Sequence, residues 1–390
     1  MPNDASRSEP SGFLQHHHHH DESRYVRRQP GAAPDRRQPA ERTPTPTAPA
    51  APPTPPAPPT ATARAVPARR ARPAVALIAG GALLAAVIVV VVVLIVNAAR
   101  SDHNPFAGQT LFVDPDSRAA RAAASDAGLD EREAAARIAA VPTAIWITPE
   151  EFPPGSANEA VADIMASAGS AEALPTFVVY GITDRDCGGF SAGGLPAEAY
   201  LDWVDEIAAG LGDGASIVVL EPDSLGLAPE CTNQTERTDL VRAALARFGD
   251  TAATVYLDAG HSAWLPPERI AELLRSAGVA KARGFATNVS NMQSTVDELE
   301  FARQVSAELG GAHAIIDTSR NGAGPPSDGS WCNPPGIGLG ETPRAIDDPV
   351  VDAVLWVKPP GESDGTCNGG PTAGQWWPEQ AVDLVANAVE

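Results

Sequence analysis

Apolar residues along the last two-thirds of the chain come in short runs at a regular interval. The runs Ala144–Ile147, Thr176–Tyr180, Ser216–Leu220, Thr254–Leu257, Gly284–Asn288, Ala312–Ile316 and Ala353–Val357 are strand-like, several of them rich in β-branched residues and buried on both faces. Helical spacing fills most of the intervals, over Pro196–Leu211, Thr235–Phe248, Pro266–Ala277 and Met292–Leu309. Earlier, Ser117–Ala140 reads as one helix, rich in Ala, Arg and Glu, that packs outside the sheet. Strands alternating with helices imply a parallel sheet, and seven or eight such units in about 250 residues predict an α/β fold closed as a TIM-like β/α barrel.

The first hundred residues follow no such pattern. Residues 1–73 lack an apolar period, and Thr43–Pro59 is a Pro/Ala/Thr tract that favours extended polyproline II, so a disordered Pro/Ala/Arg-rich tail is expected. Five consecutive histidines, His16–His20, read as a compositional quirk or a purification tag and are assigned no chemistry. Residues 74–96 carry no charge and are long enough to cross about 30 Å of hydrocarbon as a helix. Arg64, Arg69, Arg70 and Arg72 precede this run and only Arg100 follows it closely, so the positive-inside rule predicts a cytoplasmic tail and a single-pass signal-anchor in the cell membrane. Beyond a short linker, 97–103, residues 104–390 would form one extracellular domain. Ala98 and Ala99 offer a place where it could be shed.

Charge sharpens the division. Residues 1–100 carry a net charge of +6 and residues 101–390 a net charge of −27. Nucleic-acid binding rests on neutralising phosphates, so a domain this acidic is a poor partner for nucleic acid and easier to reconcile with a neutral substrate. All four cysteines, Cys187, Cys231, Cys332 and Cys367, lie in the exported part. An even number outside the cell predicts two disulfides, with three pairings open, and no C-x-x-C spacing supports zinc.

Polar residues gather where the strands end. Tyr180 leads to Asp184, Arg185 and Asp186; Leu220 to Glu221 and Asp223; Leu257 to Asp258 and His261; Thr287 to Asn288 and Asn291; Ile316 to Asp317 and Arg320; Val357 to Lys358, Glu362 and Asp364. In a barrel these ends share the face that carries active sites. Asp223 alone could be the cap of a helix starting near Ser224; six strand ends in register argue for a carboxylate-lined site. A carboxyl group at the end of a buried strand is partly desolvated, which raises its pKa as a general acid requires. Paired carboxylates, with neither a His/Cys ligand set nor a phosphate loop, suggest glycoside hydrolysis without metal or cofactor. Trp146, Trp264 and Trp331 stand where sugar platforms would be, whereas Trp356, inside a strand, reads as core. The glycines around Asp186, from Gly181 to Gly194, predict a loop able to close over substrate.

At this point the residues resemble a known family. Arg185-Asp186-Cys187-Gly188-Gly189, Ser191-Ala192-Gly193-Gly194 and Val218–Leu225 are similar to the two signatures of glycoside hydrolase family 6, the β-1,4-glucanases. The likeness continues in Asn104–Pro115, Tyr256–Leu265, Phe285–Met292, Trp331-Cys332-Asn333 and Leu355–Gly365, in the family's order. It implies a distorted, partly open β/α barrel of seven strands. It implies Asp223 as general acid, Asp186 as the aspartate that raises its pKa, and Asp364 as the proposed base of an inverting reaction. Tyr180 resembles the tyrosine beneath the distorted sugar, and Ser191 the loop serine that holds water, with Ala192 the alternative register. Trp146, Asp258, His261, Trp264, Asn288, Trp331, Lys358 and Glu362 resemble substrate-binding positions. The implied disulfides are Cys187–Cys231 and Cys332–Cys367.

One departure stands out: the family usually has Asn and then Pro shortly after the tyrosine, where this chain has Gly181-Ile182-Thr183-Asp184. Short segments between the motifs leave little room for the loops that roof a cellobiohydrolase tunnel, so an open cleft and internal cleavage of a β-1,4-glucan polysaccharide are expected. The alternatives are a cellobiohydrolase and a non-catalytic surface glycan-binding protein; the presence of both Asp186 and Asp223 argues against the second.

Overall fold

The computed structural model describes residues 103–231 and 233–389. The expected tail, the apolar run 74–96 and nearly all of the linker lie outside the described residues. No helix among the described residues is long and apolar enough to cross a membrane.

The chain opens with helices α1 (Arg118–Ala123) and α2 (Leu129–Ala139), where a single helix was expected. The break has a local cause. The Ser125 hydroxyl bonds back to the Ala122 carbonyl at 2.7 Å, and Gly128 takes extended geometry as the cap of the second helix. Seven parallel strands follow: β1 (Ile145–Ile147), β2 (Thr176–Val179), β3 (Ser216–Leu220), β4 (Ala253–Asp258), β5 (Gly284–Thr287), β6 (His313–Asp317) and, after the two-residue antiparallel β7 (Arg344–Ala345), β8 (Val351–Leu355). The helices are α3 (Ala157–Ser170), α4 (Ala197–Leu211), the one-turn α5 (Ser224–Leu227), α6 (Gln234–Arg247), α7 (Pro267–Ser276), α8 (Thr295–Glu308) and α9 (Pro378–Ala386).

Strand order is β1-β2-β3-β4-β5-β6-β8-β7, so the sheet curls without closing its ladder. The closed barrel expected from the period alone is therefore corrected to an open, curled, mostly parallel sheet of eight strands. The sheet stays open because β8 spends its outer edge on β7. At the seam the Ala144 amide donates to the Trp356 carbonyl at 2.9 Å, and the Trp146 indole donates to the Val357 carbonyl at 2.8 Å.

Alternation along the strands builds two cores. Phe177, Val179, Val218, Leu220, Leu257, Phe285, Ile316 and Val354 pack against the helices. Val178, Ile217, Val219, Tyr256, Ala286, Ile315 and Ala353 fill the inside of the curl. Each large aliphatic side chain so buried contributes about 1.5–3 kcal/mol. Phe106 plugs the inside against Tyr256, with ring centroids 6.4 Å apart. Below it, Asp352 receives the Tyr256 hydroxyl at 2.6 Å and the Arg283 guanidinium at 2.9 Å. The opposite end, where the strands finish, carries the site.

Candidate active site

The turn after β3 sets the geometry. Glu221 and Asp223 both have positive φ, 52° and 65°, a conformation non-glycine residues adopt only when their surroundings hold them there. Two contacts do so. The buried Glu221 carboxyl accepts the Gly181 and Ile182 amides at 3.0 and 3.2 Å, tying this turn to the one after β2. The Asp223 amide donates to Asp258 Oδ2 at 2.9 Å. Asp223 stands at the start of α5, but its side chain makes no capping bond. Freed from that structural duty, the half-buried carboxyl is pushed to a pKa of about 7 by burial first, then by the charges of Asp186 and Asp364.

Asp186 lies at the centre of a hydrogen-bond circuit. Its Oδ2 accepts the Ser191 amide at 2.8 Å and the Ser191 hydroxyl at 2.9 Å, and the Tyr180 hydroxyl lies 2.7 Å from Ser191 Oγ. Buried Arg185 ties this loop down, bonding the Tyr180 and Ser191 carbonyls at 3.0 and 2.8 Å while pairing with Glu150. A Cβ on Gly189 would fall 2.5 Å from the Asp186 carboxylate, so the loop can close this tightly only with glycine there. Gly181 explains the departure noted in the sequence. A side chain there would meet Trp203 of α4 at 2.5 Å, so the space a side chain at this position would need is occupied by an indole.

Asp364 is buried, with Oδ2 receiving Arg320 Nη1 at 2.8 Å and the Asn333 amide at 2.9 Å, and with Lys358 Nζ 3.5 Å from Oδ1. Burial alone would raise its pKa, but the two cations outweigh it and hold the group below the usual range, as a carboxylate. Beneath it, the buried Asp317 carboxyl accepts four amides, from Ser319, Val357, Ser290 and Lys358, at 2.9–3.2 Å. One side chain thereby joins the turns after β5, β6 and β8.

The remaining expected residues stand in four places. Trp146, Lys358 and Glu362 cluster near Tyr180. The Trp146 ring meets Tyr180 edge-on at 5.2 Å, and Lys358 Nζ lies 5.7 Å from the Trp146 centroid. Burial raises Glu362 to about 7 against the pull of Lys358 and Arg118. His261 and Trp264 share the turn after β4; burial lowers His261 to about 4, so it is neutral, and Trp264 lies flat on Gly226 and Gly260. Asp258 and Asn288 act from below. Asp258 Oδ2 is taken by the Asp223 and Gly260 amides, and the Asn288 amide bonds Gln293 and the Asp317 carbonyl. Trp331 sits half-exposed at the rim, while Trp356 is buried in the core.

The disulfides are Cys187–Cys231 and Cys332–Cys367. The first ties the Asp186 loop to the segment after α5, and the second ties the Trp331 loop to the Asp364 loop. Sequence reasoning gave no role to Glu221, Asp317, Arg320 or Asn333, whose partners are distant in the chain; charge at a strand end was the one signal available for the first three. Among the described residues no three His, Cys, Asp or Glu side chains converge as metal ligands would. The arrangement sets a carboxyl group raised to about 7 near a charge-compensated carboxylate held below the usual range, a pairing suited to proton donation and proton acceptance.

Comparison with known proteins identifies the family. Glycosyl hydrolases family 6 matches residues 106–388. Endoglucanase A of Cellulomonas fimi is 43% identical over 279 residues, covering 71% of this chain and 61% of that protein. Endoglucanase A of Thermobispora bispora is 40% identical over 290 residues, 71% of this chain and 62% of the relative, so the match spans under two-thirds of either relative's length. The structure of the endoglucanase Cel6 from Mycobacterium tuberculosis, in complex with a methyl-cellobiosyl-4-deoxy-4-thio-β-D-cellobioside, superposes with a TM-score of 0.70 at 42% identity, covering 73% of this chain and 99% of that one. With the family model spanning most of the chain and the curled sheet shared with a solved member, the chain belongs to glycosyl hydrolases family 6.

Proposed function

We propose that the chain is an endo-β-1,4-glucanase that cuts internal bonds of a cellulose-like glucan with inversion. The observation that carries this reading is Asp223, a carboxyl group with a pKa near 7 and no capping duty, facing both Asp186 and Asp364. In its protonated form it delivers a proton to the glycosidic oxygen as the bond to the anomeric carbon breaks. Asp186 keeps that proton in place by its charge and, through Ser191, orders the attacking water. Asp364, held ionised by Arg320 and Lys358, accepts the proton the water loses and faces the positive charge that develops on the sugar. Trp146, Trp264 and Trp331 supply aromatic faces for pyranose rings.

Relatives named as endoglucanases at 40–43% identity support internal cleavage. The uncharged run 74–96, with arginines before it, supports a signal-anchor that leaves this domain outside the cell. The test is a time course on soluble carboxymethylcellulose or mixed-linkage β-glucan, read by viscosity and reducing ends, with NMR of the first-formed anomer. Early viscosity loss and α-anomeric product are expected. Slow viscosity loss with cellobiose as sole product would replace endo by exo action, and β-anomeric product would exclude inversion. Absence of hydrolysis on every β-glucan would overturn the reading.

A further inference from the structure

Among the described residues Phe190 and Trp331 are the two aromatic side chains that stand exposed, at 49% and 50%. They touch, with ring centroids 6.0 Å apart and planes inclined at 57°. Phe190 immediately precedes Ser191, whose amide and hydroxyl hold Asp186. Its side chain also lies against Gly365, next to Asp364, where a Cβ would meet Phe190 Cβ at 2.6 Å. Thus one half-exposed ring stands where three loops meet: the loop of Asp186, the loop of Trp331 and the loop of Asp364. Two large rings exposed side by side form an apolar surface patch, a feature that marks binding positions.

We propose that Phe190 is a positioning and specificity-determining residue: it fastens the Asp186 loop to the Trp331 platform, so that a sugar seated there and the working position of Asp186 stabilise each other. This rests on the glucanase reading above. Substrates long enough to reach Trp331 then draw the loop shut, and shorter ones do not.

The test compares wild type, Phe190→Ala, Phe190→Tyr, Trp331→Ala and the Phe190→Ala/Trp331→Ala double variant on soluble β-glucan and on the shortest cello-oligosaccharide that is cleaved. Phe190→Ala is expected to lower kcat/KM on polymer by about threefold to tenfold, the scale of one aromatic pair, with a smaller loss on the short substrate. The double variant should lose no more than Trp331→Ala alone. The alkaline limb of kcat/KM reports Asp223, which faces Tyr180 and Asp186 from the turn after β2, Asp258 from the end of β4, and Asp364 and Lys358 from the turn after β8. Asp186 sits on the loop that Phe190 fastens, so the limb should move to lower pH in Phe190→Ala and return in Phe190→Tyr. Equal losses on long and short substrates, additive losses in the double variant, or an unmoved limb would each overturn the proposal. An active wild type with an unchanged Phe190→Ala overturns this inference alone, whereas an inactive wild type overturns the glucanase reading with it.

Discussion

Asp258 holds the backbone of Asp223 in its left-handed turn, taking the Asp223 amide at 2.9 Å and the Gly260 amide at 3.0 Å on one oxygen. Asp258→Ala leaves two buried amides without an acceptor, a cost of about 1–3 kcal/mol each. The acid would also lose its aim, and a displacement of this kind can cost on the order of 100-fold in rate. The expected result is a fall mainly in kcat with KM little changed, alongside a lower urea midpoint. Unchanged kcat would show that the turn holds itself.

Asp223→Asn removes the proposed proton donor while keeping size. Hydrolysis of polymer should fall by about 10²–10⁴-fold, the usual scale of general acid catalysis. Aryl cellobiosides whose leaving group needs no proton should be largely spared. Equal losses on both substrates would remove Asp223 from the acid role.

The charge neighbours of Asp223 fix the direction of its pH dependence. Its pKa near 7 means that activity requiring the protonated form declines as pH rises through about 7. Asp186 raises that value by repulsion, so Asp186→Asn should shift the alkaline limb of kcat/KM toward lower pH. A shift toward higher pH would contradict the arrangement.

Stability should follow the same groups. Glu221, Asp223 and Glu362 each have a folded-state pKa of about 7, raised from ordinary values near 4. The folded state therefore binds more protons than the unfolded chain between about pH 4 and 7, and stability falls as pH rises through that window. Asp364, held low by Arg320 and Lys358, works oppositely and loses its contribution only in stronger acid. Thermal melts should thus give the highest Tm in mildly acidic buffer, with a weaker pH slope in Glu221→Gln. A Tm that climbs steadily from pH 5 to pH 8 would refute this.

Trp203 fills the space beside Gly181, and its indole donates to the Phe152 carbonyl at 2.7 Å. Gly181→Asn, which restores the residue usual in the family, should therefore destabilise by about 1–3 kcal/mol through overpacking. Adding Trp203→Leu should recover part of that loss in a denaturant titration. Full tolerance of the single change would mean that the indole moves freely.

Much of the scaffold was legible because its signals are local. All seven apolar runs became parallel strands with ends shifted by at most two residues, and four helices fell where the spacing put them. Helix α3 escaped notice because its buried stripe is mostly alanine, with Val161 its one large buried side chain. The single helix expected over Ser117–Ala140 failed at a serine that bonds its own backbone. In the site, Asp186, Asp223 and Asp364 could be read because each lies in a motif that resembles the family's, whereas charge at a strand end marked Glu221 and Asp317 equally and told nothing of their roles. The supports of those three could not: Arg320 reaches Asp364 across 44 positions and Asn333 across 31. Only the pairing of β6 beside β8 makes those residues neighbours.

Each disulfide lies beside an aspartate of the candidate site, Cys187 directly after Asp186 and Cys367 three positions beyond Asp364. A chain newly made in a reducing cytosol would carry these acids on untethered loops. Oxidation of these four thiols would then be the step that fixes both carboxyl-bearing loops in place.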